Sequence, residues 1–343
     1  MIQSLINRFK QRRTRGYLTE LNRGQYAFVG IGQHSLTNLY PVLRYLGVSL
    51  KYICCTSEEK ARLIGQKFPD VKATASLDEI LHDEAVRGVF VSASPQAHFT
   101  LASKILQAGK ALYIEKPPCQ TSEELEELIR LQERAFLSPR PLEGWGVVCV
   151  GLQKRYAPAV QLLKKRLRKG GLLSYDLHYL TGAYPEGDAR LDLFIHPLDL
   201  VTYLFGPARI VACRKTDEQS YLLMLEHEGI TGTLELSTHH MWTDMQESLT
   251  VCTKQGRYEL RQLEELTFTP MPTTILGVPM EKVRPTGKRV EYLYQRNLQN
   301  SIVSQGYFGE LKAFVDAVEG RGNRIVSDFA ALRDTYQLLS TLR

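Results

Sequence analysis

The first residues able to do chemistry form a glycine-rich turn. Gly30-Ile31-Gly32-Gln33-His34-Ser35 follows the short apolar run YAFV and precedes a stretch of helical spacing, Asn38 to Leu46. It matches G-x-G-x-x-G except that Ser35 replaces the last glycine. Such glycines let the chain turn tightly and let its backbone approach a pyrophosphate held at the next helix N-terminus. The third glycine mainly serves helix–strand packing, so a small serine is tolerable there. Gly-x-Gly after a strand is also a common turn. Its place between the first strand and first helix of a βαβ unit makes it a dinucleotide signal, with Gly30, Gly32, Gln33 and His34 as contacts.

A second signal is an absence. The tip of the second strand usually carries an acid that holds the adenosine ribose, but here it reads Cys55-Thr56-Ser57, with Lys60 just beyond. An acid would repel a 2′-phosphate, whereas the Thr56 and Ser57 hydroxyls with Lys60 can bind one. NADP is therefore favoured over NAD. The plainer reading makes Ser57 a helix cap and Lys60 a solvated charge, and both can hold, because a helix N-terminus also welcomes phosphate.

Three further runs carry ionisable groups at element ends. They are Ser94-Pro95-Gln96-Ala97-His98, Glu115-Lys116-Pro117-Pro118, and the downstream stretch from Asp192 through His196 to Asp199. A single lysine at a strand end is usually a solvated charge, and a single histidine on an apolar helix is usually a core residue. Four motifs in order are another matter. The glycine loop, Ser-Pro-x-x-His, Glu-Lys-Pro and Asp-x-x-x-His-x-x-Asp resemble the Gfo/Idh/MocA family of glucose–fructose oxidoreductases and inositol dehydrogenases. The similarity runs from Tyr26 to the C-terminus and includes Gly309-Glu310-Leu311-Lys312-Ala313-Phe314 near the end.

The resemblance implies an NAD(P)-dependent oxidoreductase acting on a sugar, inositol or sugar nucleotide. Lys116, Asp192 and His196 would be its catalytic set. Oxidising an alcohol needs a base for the hydroxyl proton, and a free pKa near 6.5 suits His196 to that role. Asp192, one helical turn earlier, would fix the His196 tautomer, with Pro197 best placed in the helix's first turn. Lys116 at a strand's C-terminal edge would polarise the substrate oxygen. Ser94, Pro95, His98, Glu115 and Lys116 would border the cofactor, and Arg155 and Tyr179 would join His196 around the substrate. Tyr184 and Arg190 lie near enough in sequence to face a polyhydroxylated ligand. Two alternatives remain open: a non-catalytic NAD(P)-binding sensor of the same fold, and a redox-assisted glycosidase. His239-His240 lacks further ligands, so no metal site is expected.

The elements that must hold these residues alternate. From Tyr26 to about residue 147, short apolar runs (SLKYICC, GVFVSAS, ALYIEKPP) are separated by amphipathic stretches such as SEEKARLIGQKF, which opens on a serine cap and two acids. That order implies a doubly wound parallel Rossmann sheet over residues 25–147. The resemblance implies that residues 148–343 form a second α/β domain on an open, mostly antiparallel mixed sheet, and strand-like runs with period-2 alternation, such as SYLLMLEH and ITGTLELST, agree with it. The same resemblance implies that the exposed face of this sheet pairs protomers into a homodimer or homotetramer. Residues 1–24 read as a basic amphipathic helix that packs on the body or a neighbouring subunit rather than a secretory signal.

Composition sets limits. A chain of 343 residues exceeds what one core usually serves, and 43% apolar with 23% charged residues is ordinary for a globular protein. A net charge of +6, much of it near the start, is too mild for a nucleic-acid footprint. Six cysteines without framework or metal spacing read as buried thiols in a cytoplasmic protein.

Overall fold

The computed structural model describes residues 2–19, 22–136, 146–271, 274–275, 278–279, 289–290, 300–322 and 324–342. A helix α1 (Ile2–Thr19) precedes β1 (Gln25–Val29), α2 (Tyr40–Tyr45), β2 (Ser49–Cys54), α3 (Glu58–Lys67), β3 (Lys72–Thr74) and α4 (Leu77–His82). Then come β4 (Val86–Val91), α5 (Pro95–Gln107), β5 (Ala111–Glu115), α6 (Ser122–Phe136) and β6 (Val148–Gly151). These six strands form one sheet in the order β3-β2-β1-β4-β5-β6, parallel throughout. That is the doubly wound order, whose direction of winding reverses between β1 and β4. β6 closes the sheet, so the first domain extends to about Gly151 rather than ending at 147.

After α7 (Pro158–Leu167), the chain builds β7 (Leu172–Gly182), α8 (Ile195–Phe205), β8 (Ala208–Asp217), β9 (Ser220–His227), β10 (Ile230–His240), β11 (Gln246–Thr253), β12 (Gly256–Arg261) and β13 (Glu265–Pro270). A small hairpin, β14 (Thr274–Ile275) with β15 (Val278–Pro279), and β16 (Arg289–Val290) follow. The second sheet runs β16-β13-β12-β11-β7-β10-β9-β8, antiparallel except where β10 lies beside β7. Three helices end the chain: α9 (Asn300–Ser304), α10 (Tyr307–Val318) and α11 (Arg333–Thr341). No helix among the described residues is long and apolar enough to cross a membrane.

Alternation along β1 explains how the first sheet is covered on both faces. Ala27 and Val29 join the core shared with α5 and α6, while Tyr26 and Phe28 face the opposite way. That second face is covered partly by α10, whose Phe308, Leu311, Phe314 and Val315 pack against Tyr26, Phe90 and Tyr113. A helix from the far end of the sequence thus completes the first domain. On the second sheet the outer face stays open, with Leu173, Val211, Leu222 and Met224 exposed.

Two expectations need amendment. Cys54, Cys55, Cys119 and Cys149 are buried free thiols, but Cys213 is exposed on β8. Residues 3–12 of α1 are exposed and so do not pack on the body. The tether between α1 and β1 is fastened, however: Glu319 accepts the Arg23 and Gly24 amides at 2.8 and 3.0 Å, and the Tyr26 hydroxyl at 2.7 Å.

Candidate active site

The glycine loop leaves β1 beside β4. Gly30 has φ +79°, and a Cβ there would lie 2.6 Å from the Ser92 main-chain oxygen, so only glycine fits. At Gly32 a Cβ would meet nothing within 4 Å. An open glycine face where the next helical turns begin suits close approach of a pyrophosphate. Ser35 stands in for the third glycine in a specific way: its buried hydroxyl accepts the Gly32 amide at 2.8 Å and donates to the Gly32 carbonyl at 2.9 Å. The residues present therefore fit a dinucleotide, which Gly30, Gly32, Gln33 and His34 would cradle.

At the tip of β2, Ser57 caps α3 by accepting the Lys60 amide at 3.3 Å, and Thr56, Ser57 and Lys60 are all exposed. Cys55 instead turns inward, its thiol donating to the Ser57 and Thr74 carbonyls at 3.5 and 3.6 Å. Ser94 and Pro95 open α5 at the C-terminal end of β4.

Lys116 follows β5, where the Lys116–Pro117 peptide is cis. Its ammonium donates to the main-chain oxygen of Asp192, and burial lowers its pKa below the usual lysine value. Asp192 lies in a π-helical turn, Arg190–Phe194, that runs directly into α8. Pro197, third in α8, has no N–H to give the Leu193 carbonyl, and a widened turn is one way a helix accommodates that loss. The Asp192 carboxylate accepts the Tyr184 hydroxyl at 3.2 Å. No hydrogen bond from it to His196 exists among the described residues, so the expected Asp192-to-imidazole clamp is absent from this geometry.

His196 is 9% exposed, and its Nδ1 is buried without a partner among the described residues. Leaving such an atom unpaired costs about 1–3 kcal/mol, which a folded protein tolerates mainly where a ligand or water completes the site. Burial holds its pKa well below the usual imidazole value, reinforced by the positive fields of Lys116, Lys154 and His34. The imidazole is therefore neutral at physiological pH. His34 links the glycine loop to the same centre: its Nε2 lies 3.5 Å from a Glu115 carboxylate oxygen, and its ring packs on Tyr307 at 5.8 Å.

Two neighbours were not singled out from the sequence. Lys154 is buried, pairs with Glu247 at 2.6 Å, and sits 4.4 Å above the Tyr179 ring. Glu310 on α10 accepts the Tyr113 hydroxyl at 2.9 Å, and the same hydroxyl lies 2.9 Å from Glu115. Burial and the Glu115 charge push the Glu310 pKa well up, while His34 helps hold Glu115 below the usual carboxylate range despite its burial. Lys154 was hidden beside Arg155 in one KR pair, and Glu310 lay nearly two hundred residues from its partner. Periodicity alone could reveal neither.

Arg155 is a correction. Its guanidinium is spent on Asp199, at 2.8 and 2.6 Å, and on the Val326 and Ala331 carbonyls. A buried bidentate pair with no remaining outward donor braces α8 rather than meeting substrate. His98 is another: its ring nitrogens lie 2.7 Å from the Pro117 carbonyl and 3.1 Å from the Ala93 carbonyl, so it straps two loops and has no nitrogen left for a cofactor. Tyr179 lies beneath Lys154, 4% exposed, which leaves its ring face covered. Arg190 is likewise engaged, with Asp188 and the Leu342 carbonyl.

A doubly wound nucleotide-binding domain joined to an open mixed sheet, with basic side chains gathered where they meet, is the architecture of a dinucleotide-dependent oxidoreductase. Residues 25–136 match GFO_IDH_MocA, the oxidoreductase family with an NAD-binding Rossmann fold. It is 25% identical to the oxidoreductase YceM of Salmonella typhimurium over 303 residues, 85% of this chain and 89% of that one. It is 24% identical to inositol 2-dehydrogenase of Salmonella paratyphi B over 187 residues, 52% of this chain and 53% of the relative. The fold superposes on a dehydrogenase from Chromobacterium violaceum with a TM-score of 0.76 at 22% identity, covering 93% of this chain and 94% of the other.

Proposed function

We propose that the protein transfers hydride between a nicotinamide and a CH–OH or carbonyl carbon of a sugar, an inositol or a sugar nucleotide. Lys116 and His196 handle the proton, and NADP(H) is accepted at least as well as NAD(H). One observation carries this reading: a buried, unpartnered imidazole lies in the field of both Lys116 and the glycine-loop residue His34.

In the oxidative direction the bound nicotinamide supplies the hydride acceptor. Neutral His196 takes the hydroxyl proton, since its depressed pKa keeps it unprotonated. The Lys116 ammonium, fixed against the Asp192 carbonyl, and the nearby Lys154 stabilise negative charge developing on the substrate oxygen. In the reductive direction the same imidazole returns the proton. A polyol or sugar substrate accords with the similarity to inositol 2-dehydrogenase, and the exposed apolar side chains on the outer face of the second sheet support a homo-oligomer.

The test is a panel of inositols, sugars and sugar nucleotides, screened with NAD⁺ and NADP⁺ for the change in nicotinamide absorbance. Turnover on at least one member, abolished in Lys116→Met, is the expected result. A protein that binds dinucleotide yet turns over none of the panel would move the reading toward a sensor.

A further inference from the structure

A second cleft, of about 630 Å³, opens between α7, α8 and α10. One wall is a stripe of α7: Gln161, Lys164, Lys165 and Arg168 recur at i, i+3, i+4 and i+7, the spacing of a single helix face. Arg324, beyond α10, brings a fourth cation to the same cleft, whose lining also includes Gly309 and Ala313 on α10. Tyr203 on α8 forms part of the lining, its ring 3.2 Å from the Lys164 ammonium and 5.1 Å from the Arg155 guanidinium carbon.

No acid is among the described residues that line this cleft. A helix face bearing cations at i and i+4 is ordinarily balanced by carboxylates, because like charges at that spacing repel. Here the imbalance is felt by Lys164, whose pKa is pushed down to about 8 by burial and then by Arg155, Arg168 and Arg324. It bonds the Tyr203 carbonyl at 2.6 Å, and the acid whose field opposes the shift, Asp199, is itself paired with Arg155. Positive potential confined in a concave site of this volume is suited to a small anion rather than to a flat macromolecular surface.

We propose that this cleft is a binding site for a small molecule bearing two or more linked phosphates, held by Lys164, Lys165, Arg168 and Arg324 and separate from the glycine loop. Arginine forks grip phosphate oxygens in pairs, and the lysines add point charges. Tyr203 borders the site from the same helix that carries His196.

The test uses the full-length protein with its dinucleotide site saturated by NADP⁺, and titrates pyrophosphate, inorganic phosphate and ADP by calorimetry. Pyrophosphate should bind more tightly than inorganic phosphate, with affinity falling as salt rises. The double variant Arg168→Gln/Arg324→Gln should weaken pyrophosphate by about tenfold or more, with an unchanged melting temperature because both side chains are exposed. ADP binding better than pyrophosphate would identify a nucleotide as the ligand, and equal binding would identify the phosphate chain alone. Absence of pyrophosphate binding, or binding unaltered in the double variant, overturns the proposal. Because Arg168 and Arg324 lie outside the dinucleotide cradle, either result is distinguishable from a failure of the oxidoreductase reading.

Discussion

Lys116 holds the main-chain oxygen of Asp192, while the Asp192 carboxylate is taken by the Tyr184 hydroxyl at 3.2 Å. The contact between Lys116 and residue 192 thus survives a change of the aspartate side chain. Lys116→Met and His196→Ala should each lower kcat by about a hundredfold or more while changing cofactor affinity only a few-fold. Asp192→Asn keeps an acceptor for Tyr184 and should fall less far than either. Steady-state kinetics of the three variants decide it; an Asp192→Asn loss equal to that of His196→Ala would restore the carboxylate–imidazole clamp.

The pH profile follows from two depressed values. His196 must be neutral to accept a proton, and its pKa lies well below the ordinary imidazole value, so oxidation should persist below about pH 6.5 before the acid limb appears. Lys116 must be charged to polarise oxygen, and its pKa is also lowered, so the alkaline limb should begin below the ordinary lysine value of about 10.4. In Lys116→Met that alkaline limb should disappear from residual activity. An acid limb centred at or above 6.5 would remove His196 from the base role.

Gly30 and Gly32 separate folding from cofactor binding. Gly30→Ala sets a Cβ 2.6 Å from a main-chain oxygen at positive φ and should cost about 1–3 kcal/mol of stability. Gly32→Ala meets open space and should leave the melting temperature within the ordinary surface range, about 0.5 kcal/mol, while raising the cofactor KM by about tenfold or more. Unaltered KM in Gly32→Ala would mean that the dinucleotide does not approach this turn.

Glu310 offers a test of sign. Its folded pKa is raised above its unfolded value, so the acid contributes its full stability below about pH 4.3 and loses it as pH climbs toward the folded pKa. Glu310→Gln mimics the protonated acid. It should therefore melt a few degrees above wild type near pH 8, with the gap closing toward pH 4. A gap that widens on acidification would show an ionised Glu310.

Thr56, exposed at the β2 tip where Cys55 points inward, is the position at which to test cofactor choice. Wild type should use NADP at least as well as NAD, and Thr56→Asp should shift the kcat/KM ratio toward NAD by about tenfold or more. A wild-type preference for NAD of tenfold or greater would instead assign the ribose to Glu58 or Glu59.

Much of this could be read from the chain because local signals coincide with local geometry. The glycine turn, the Ser57 cap and the two sheet patterns depend on neighbours within a few residues. Roles that depend on distant partners could not be read. Arg155 looks the same in sequence whether it faces substrate or Asp199, forty-four positions away. His98 sits in the expected motif, yet two carbonyls from separate loops occupy its ring. Asp192 and His196 have helical spacing, but the π-helical turn before Pro197 changes what the carboxylate meets.

The helix that covers one face of the first sheet imposes an order on synthesis. β6 ends at Gly151 and α10 begins at Tyr307, so roughly 155 residues separate the finished sheet from its cover. At about 5–20 residues per second, the ribosome leaves Tyr26, Phe28, Phe90 and Tyr113 without their α10 partners for roughly eight to thirty seconds. The nucleotide-binding domain therefore cannot finish folding ahead of the rest, as an N-terminal domain usually does. It must wait for nearly the whole chain, and during that interval its bare aromatic face is a surface for chaperones or for aggregation.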